Sequence, residues 1–227
     1  MAKKAGPRAT AGEQAGAARG EERIRQRNEK AILRAATTLF AKKGFDGTRA
    51  TEIAERAGLP KANLYYYFNT KEEIYRAAIR HLIAGWDKAL RHIRADADPF
   101  EALEAYVREK LDYARKNADE SRMFANEIIS GAPFLSRADR KHMHDITLEK
   151  TLIIEQWVAE GRMRPVNPRH LFIVLWSTTQ FYTNFEKITC DTLEKPRLSP
   201  SDYEDAARTI VETVLRGLRP GKASSDP

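Results

Sequence analysis

Gly58 and Pro60 lie two residues apart inside TRATEIAERAGLPKANLYYYFNTK, residues 48–71, and nothing else in the 227-residue chain restricts its fold so tightly. A glycine enters the left-handed conformation that closes a helix, and a proline is tolerated only in the first turn of the next one. Thr48 is suited to cap a helix that runs to Ala57, with Ile53, Ala54 and Ala57 on its inward side and Leu59 as the apolar residue of the following turn. From Pro60 a second short helix begins, and Leu64 and Phe68, four positions apart, give it a buried side. Two short helices joined by a glycine-containing turn make a helix-turn-helix.

Consecutive helical residues point about 100° apart, so Tyr65, Tyr66 and Tyr67 cannot all enter the core that Leu64 and Phe68 occupy. The second helix of such a motif enters a DNA major groove N-terminus first, which turns Lys61, Ala62 and the outward tyrosines toward the duplex. A tyrosine offers a flat apolar ring to a thymine methyl and a hydroxyl to a phosphate. Lys61 suits a guanine edge or a phosphate, and Lys71, at the start of the next helix, a phosphate alone. Partial burial of one tyrosine against a neighbouring helix stands beside this reading.

Charge agrees with a polyanionic partner for one end of the chain. Residues 1–71 carry 15 Lys and Arg against 7 Asp and Glu, while the other 156 residues carry 24 against 25, so the net charge of +7 arises in the first third. Residues 1–20, rich in Ala, Gly and basic side chains, are expected to be a disordered basic arm, and residues 221–227 a flexible tail. A helix is expected from Glu21, with Ile24, Ile32, Ala36, Leu39 and Phe40 as its apolar stripe, ending at Gly44. Together these residues form a three-helix head, residues 21–70.

The remainder lacks the alternation of β-branched residues that marks strands, so the fold class is all-α, the head being followed by a larger helical domain over residues 71–220. Helices are expected at about 71–95, 99–117, 119–130, 135–160, 168–190 and 201–218, divided by the proline- and glycine-bearing stretches between them. No apolar run approaches the roughly 20 residues that span a bilayer, and no apolar block opens the chain, so no membrane partner is expected and the expected compartment is the cytoplasm. A single cysteine, Cys190, fits a reducing compartment.

The same 24 residues, with their T…IA..AG turn, LYYYF helix and closing lysine, resemble the DNA-binding motif of the TetR family of bacterial transcriptional regulators. The resemblance implies a dimeric regulator, most simply a repressor released from its operator by a small molecule and associated with the nucleoid when bound to DNA. It implies DNA contacts from Thr48, Thr51, Lys61, Ala62, Asn63, Tyr65, Tyr66, Tyr67 and Lys71. Pro60 departs from the serine common at that position, which puts one hydroxyl contact in doubt. A homodimer spaces two reading helices about 34–36 Å apart on a near-palindromic site. The resemblance places the dimer seam on the last two helices, whose stripes are Leu171, Val174, Leu175, Thr178, Phe181 and Phe185, then Ile210, Val214 and Leu218. It also makes the helix over 71–95, which leaves the head at Lys71 and reaches Trp86 in the body, the link between effector and head.

FANEIISGAP (124–133) and NPRHLFIVLWSTTQFYTNF (167–185) are similar to the RutR-like, pyrimidine-utilisation branch, whose members sense uracil or thymine. A pyrimidine has a flat face and an edge of carbonyls and N–H groups, so its pocket needs aromatic walls and a hydrogen-bonding amide or carboxylate. Trp86, Phe124, Glu127, Trp176 and Gln180 are the candidates, each with an alternative as ordinary core or seam. Two other readings compete: a nonspecific DNA-coating or membrane-surface protein using Lys3, Lys4, Arg8 and Arg19, and a helical enzyme. No phosphate loop or nucleophile elbow supports the enzyme, no cofactor is expected, and the histidine spacings do not converge on a metal.

Overall fold

The computed structural model describes residues 11–220, with side chains from residue 19 onward. The described residues form ten α-helices, in chain order α1 (Ala11–Lys43), α2 (Ala50–Ala57), α3 (Lys61–Tyr67), α4 (Lys71–Leu90), α5 (Pro99–Lys116), α6 (Ala118–Ile129), α7 (Arg137–Ala159), α8 (Pro168–Asn184), α9 (Glu186–Thr192) and α10 (Pro200–Ile210). A π-helical turn, Val211–Leu215, and a 3₁₀ turn, Arg216–Leu218, continue α10. The described residues contain no strand, as the all-α expectation required.

Helix starts follow the sequence. Asp98 accepts from the backbone N–H groups of Phe100 and Glu101, Asn167 from those of Arg169 and His170, and Ser136 from that of Asp139, so polar caps fill the orphan donors of α5, α8 and α7. Pro99, Pro168 and Pro200 sit in first turns, where a missing N–H costs nothing.

Four boundaries differ from expectation. Helix α1 begins at Ala11, not Glu21: residues 11–19, AGEQAGAAR, are rich in helix formers, and local propensity carries the helix back without an apolar stripe. The rest of the expected arm, residues 1–10, and the expected tail, 221–227, lie outside the described residues. Helix α4 stops at Leu90 because the carbonyls beyond it are claimed by α7 and the turn after it. Ala95 accepts from Trp157 Nε1 at 3.2 Å and from Arg162 at 2.9 Å, and Ile93 turns inward to complete burial. The expected helix over 168–190 breaks at Phe185 (φ −116°, ψ 39°). There Arg122 Nε donates to the Thr183 carbonyl at 3.2 Å, satisfying a group that a continuous helix would have used, and Ser121 of α6 donates to the Asn184 side chain at 3.0 Å. The stretch expected as one helix over 201–218 widens to π winding after Ile210.

Two apolar clusters organise the molecule. One is centred on fully buried Trp157, Phe172, Leu103 and Val107 and joins α5, α7, α8 and α10. The other holds Ile32, Phe40, Ile53, Leu64 and Phe68 of the head, runs along α4 through Ile74, Ile79 and Leu82, and ends on Met123, Phe124, Ala132 and Leu135. The core of the head thus crosses residue 70 without interruption, and α6 belongs to both ends. Gly85 lets α4 and α5 approach closely, since a Cβ there would meet the Tyr113 ring at 2.3 Å. At the turn between α2 and α3, Gly58 has φ 68° and Leu59 N–H reaches the Ala54 carbonyl at 3.0 Å. A Gly58→Ala substitution is expected to lower stability by about 1 kcal/mol, the cost of a left-handed Cβ, read as a fall in the urea midpoint with unchanged slope.

Candidate functional site

A seven-residue helix is far below the roughly 12–15 residues that hold together alone in water, so α3 exists because tertiary contacts fix it. Leu64 and Phe68 are buried beneath it, and burial of such side chains contributes about 1.5–3 kcal/mol each. What remains is a projecting face. Lys61, Ala62, Asn63, Tyr65 and Tyr66 are exposed, Tyr66 to 75%, while Thr51 on α2 is half-buried beside them. Tyr67 is half-buried, its hydroxyl accepting from Asn28 Nδ2 of α1 at 3.0 Å, and its ring meets Tyr66 edge to face at 5.2 Å. One tyrosine of the three is thus held to the head, and the others point outward.

Two expected DNA contacts have other employment. Thr48 is only 1% exposed and donates its hydroxyl to the Gly44 carbonyl at 2.8 Å, and Arg49 is the residue preceding the first turn of α2. The threonine therefore secures the turn between α1 and α2 and presents nothing to a duplex. Lys71 points back, donating to the Phe45 carbonyl at 2.7 Å and the Thr48 carbonyl at 2.9 Å while its ammonium lies 4.1 Å from the Phe45 ring centre. Orphan carbonyls of the turn attract this cation more closely than a distant phosphate. Lys61→Ala is expected to flatten the salt dependence of DNA binding by about one unit of slope per half-site. Lys71→Met should leave that slope alone and lower the melting temperature, which fluorescence anisotropy across a salt series and thermal denaturation distinguish.

In the body, a cavity of about 430 Å³ opens between α4, α5, α6, α7 and α8. Four of the five expected ligand residues line it: Trp86, Phe124, Trp176 and Gln180. Trp86 and Phe124 meet edge to face at 4.7 Å, and Trp176 Nε1 donates to the Tyr106 hydroxyl at 2.8 Å, so the aromatic walls are locked by each other and by a buried phenol. Burial pushes the Tyr106 phenol well above its ordinary range, which keeps it neutral. Gln180 is half-buried at the same cavity.

Glu127 is the exception. It is 2% exposed, does not line the cavity, and its Oε1 accepts from Phe134 N–H at 2.7 Å and Leu135 N–H at 3.0 Å. The carboxylate closes the loop after α6, because two buried amides there have no other acceptor among the described residues. Glu127→Ala is expected to cost about 1–3 kcal/mol through those unsatisfied donors, measured by chemical denaturation.

Sequence reasoning passed over Lys110, which lines the cavity and is 5% exposed. Its signal was available: Phe100, Leu103, Val107, Lys110 and Ala114 follow the spacing of one helix face, so a lysine occupies a core position of α5. Its ammonium lies 4.6 Å from the Trp86 ring centre, and burial alone brings its pKa from the ordinary 10.5 down to about 7. A second, slightly larger cleft of about 470 Å³ between α1, α4 and the α5–α6 turn is lined by charged side chains such as Lys30, Arg34, His81 and Arg115. It lacks aromatic walls. The histidines weighed earlier face carboxylates singly: His81 with Glu120, His92 with Glu109, His142 with Asp87.

The apolar stripes expected at a dimer seam divide in two. Leu171, Leu175 and Ile210 are buried in the body core, with Val214 and Leu218 partly buried against it, so α10 spends its stripe internally. Val174, Phe181 and Phe185 remain exposed, together with Ile173 and Ile188, and make an unpartnered apolar face along α8 and α9.

Both the helix-turn-helix head and the helical body match known protein families. The family description "Bacterial regulatory proteins, tetR family" matches residues 32–78, and "YcdC-like protein, C-terminal region" matches residues 79–221. The chain belongs to the TetR family. It is 37% identical over 196 residues to the HTH-type transcriptional regulator RutR of Escherichia coli K12, covering 85% of this chain and 91% of that one. The HTH-type transcriptional repressor NicS of Pseudomonas putida is 27% identical over 83% of this chain and 91% of its own. Among solved structures, the TetR family regulator PfmR of Thermus thermophilus superposes with a TM-score of 0.61 at 27% identity, over 84% of this chain and 96% of that one. This TetR-family protein is a helix-turn-helix transcriptional regulator, of a kind that binds operator DNA as a dimer and answers to small-molecule effectors. Among the described residues no helix is long and apolar enough to cross a membrane.

Proposed function

We propose that this TetR-family protein is a dimeric repressor that leaves its operator when a pyrimidine such as uracil or thymine enters the α4–α8 cavity. The observation that carries the effector assignment is the convergence of Trp86, Phe124, Trp176 and the Gln180 amide on one apolar space, flat walls with one hydrogen-bonding edge. Lys61, Ala62, Asn63, Tyr65 and Tyr66 read the major groove, Thr51 and Tyr67 contact the backbone beside them, and a homodimer through the exposed face of α8 and α9 sets the spacing of two such heads. Repression is the simpler action, because it requires only occupancy of a promoter. No catalytic role is assigned, and the protein works in the cytoplasm on nucleoid DNA.

The structure offers a physical link between the two sites. Phe134, in the loop that Glu127 closes after α6, lies 4.1 Å ring to ring from Phe45 and 5.0 Å from Tyr75. Phe45 belongs to the turn that Lys71 grips at the base of the head. A ligand that favours one packing of this cluster shifts the head, provided it binds the two arrangements with different affinity.

The test is release of the protein from genomic fragments recovered by footprinting. Uracil or thymine should raise the melting temperature and dissociate the complex, and Gln180→Ala should weaken that response about tenfold, roughly 1.4 kcal/mol for one buried hydrogen bond. Silence toward every pyrimidine would remove the effector assignment and leave the DNA reader intact. Equal affinity for all duplexes would instead favour a nonspecific DNA-coating protein.

A further inference from the structure

The cavity has a cation with nothing to neutralise it. Lys110 is 5% exposed, and among the described residues its Nζ makes no hydrogen bond or ion pair; the face of Trp86 lies 4.6 Å away and the ammonium opens onto the cavity. The charged neighbours are otherwise engaged, and the neutral Gln180 and Thr147 also line the cavity. Asp87 on α4 is held by His142 of α7 at 2.8 Å. The Tyr106 hydroxyl, one turn earlier on α5, accepts from Trp176, and Glu109, beside it in sequence, pairs with His92 at 2.5 Å. From α6 the cavity receives Ser121, whose hydroxyl is donated to Asn184 of α8, and from α8 the neutral Gln180. A buried charge costs heavily unless it is paired, so a lysine kept in this position without a partner marks a place where the partner arrives from outside.

We propose that Lys110 anchors the effector: its ammonium donates to a carbonyl or carboxylate oxygen of a flat ligand whose ring lies against Trp86. The proposal rests on the reading of this cavity as the effector pocket and adds the chemical group that the ligand must carry. Trp86 serves both partners, since one ring face holds the cation in the empty pocket. A proton accompanies binding. In the empty pocket burial leaves Lys110 with a pKa of about 7, against 10.5 when exposed, so the destabilisation from its buried charge is full below about pH 7 and fades as pH rises toward 10.5. An acceptor oxygen favours the charged form again. Ligand binding therefore takes up a proton just above neutrality, and affinity falls as pH rises through that range.

The experiment compares wild type with Lys110→Met, similar in length and uncharged, using three ring probes: uracil, with carbonyl oxygens; uracil-6-carboxylate, with an added carboxylate; and the unsubstituted pyrimidine ring, with no oxygen. Melting temperature and calorimetry are recorded from pH 6.5 to 8.5, and operator affinity without ligand checks that the head is intact. The expected result is that an oxygen-bearing probe binds wild type, more weakly at higher pH and with proton uptake in buffers of different ionisation heat. The bare ring should not reproduce this. Lys110→Met should keep its operator affinity, melt higher near neutral pH, and bind the same probe at least tenfold more weakly without the pH dependence. If it loses operator affinity, Lys110→Gln replaces it, and proton uptake by wild type needs no variant. Should uracil-6-carboxylate bind through Lys110 while uracil does not, the anchor stands and the assignment of uracil or thymine as the effector falls. Affinity of the variant within threefold of wild type, an unchanged pH profile, or no binding of any oxygen-bearing probe to wild type overturns the proposal.

Discussion

The grip of Lys71 on the turn between α1 and α2 is the interaction on which the DNA-reading end depends. That turn must approach α4 closely enough for two of its carbonyls to need a donor, and the lysine at the start of α4 supplies it while lying over Phe45. With this contact made, Phe40, Phe45, Tyr75 and Phe134 close into one aromatic group, in which Tyr75 meets the other three edge to face and Phe45 and Phe134 are tilted. Such ring pairs add about 0.5–1.5 kcal/mol each beyond simple burial and are directional, so they fix orientation as well as distance. Helix α3, too short to persist unaided, inherits its position from this arrangement through Leu64 and Phe68.

The body is built on the opposite economy of polar groups. Its core is apolar and its polar side chains are mostly spoken for, as with Trp176 on Tyr106 and Glu127 on the loop amides. Against that background a cavity of about 430 Å³ with one uncompensated cation is a local exception, and exceptions to polar satisfaction concentrate where function is carried.

Much of the head was legible because its determinants are local. Gly58 and Pro60 act through their own backbone preferences, and the four-residue step from Leu64 to Phe68 sets the inward face, so the helix-turn-helix and its projecting tyrosines followed from short stretches. Where residues were assigned the wrong work, the reason lies far along the chain. Lys71 was read as a phosphate contact because nothing near it reveals two waiting carbonyls 26 and 23 residues away. The break in α8 depends on Arg122, 61 residues upstream, and the closing of the loop by Glu127 depends on amides that only the folded chain buries. Lys110 is different: its place in the apolar stripe of α5 was visible, but the expectation of aromatic walls with an amide or carboxylate has no place for a cation. The extra turns at the start of α1 show propensity prevailing where pattern was silent.

The interruption at Phe185 leaves that ring in two settings at once. It borders the cavity mouth, and it stacks on Phe181 at 5.0 Å within the exposed apolar face of α8 and α9. Because one ring belongs to both surfaces, a shift of Phe185 at the outer face is also a shift at the inner one.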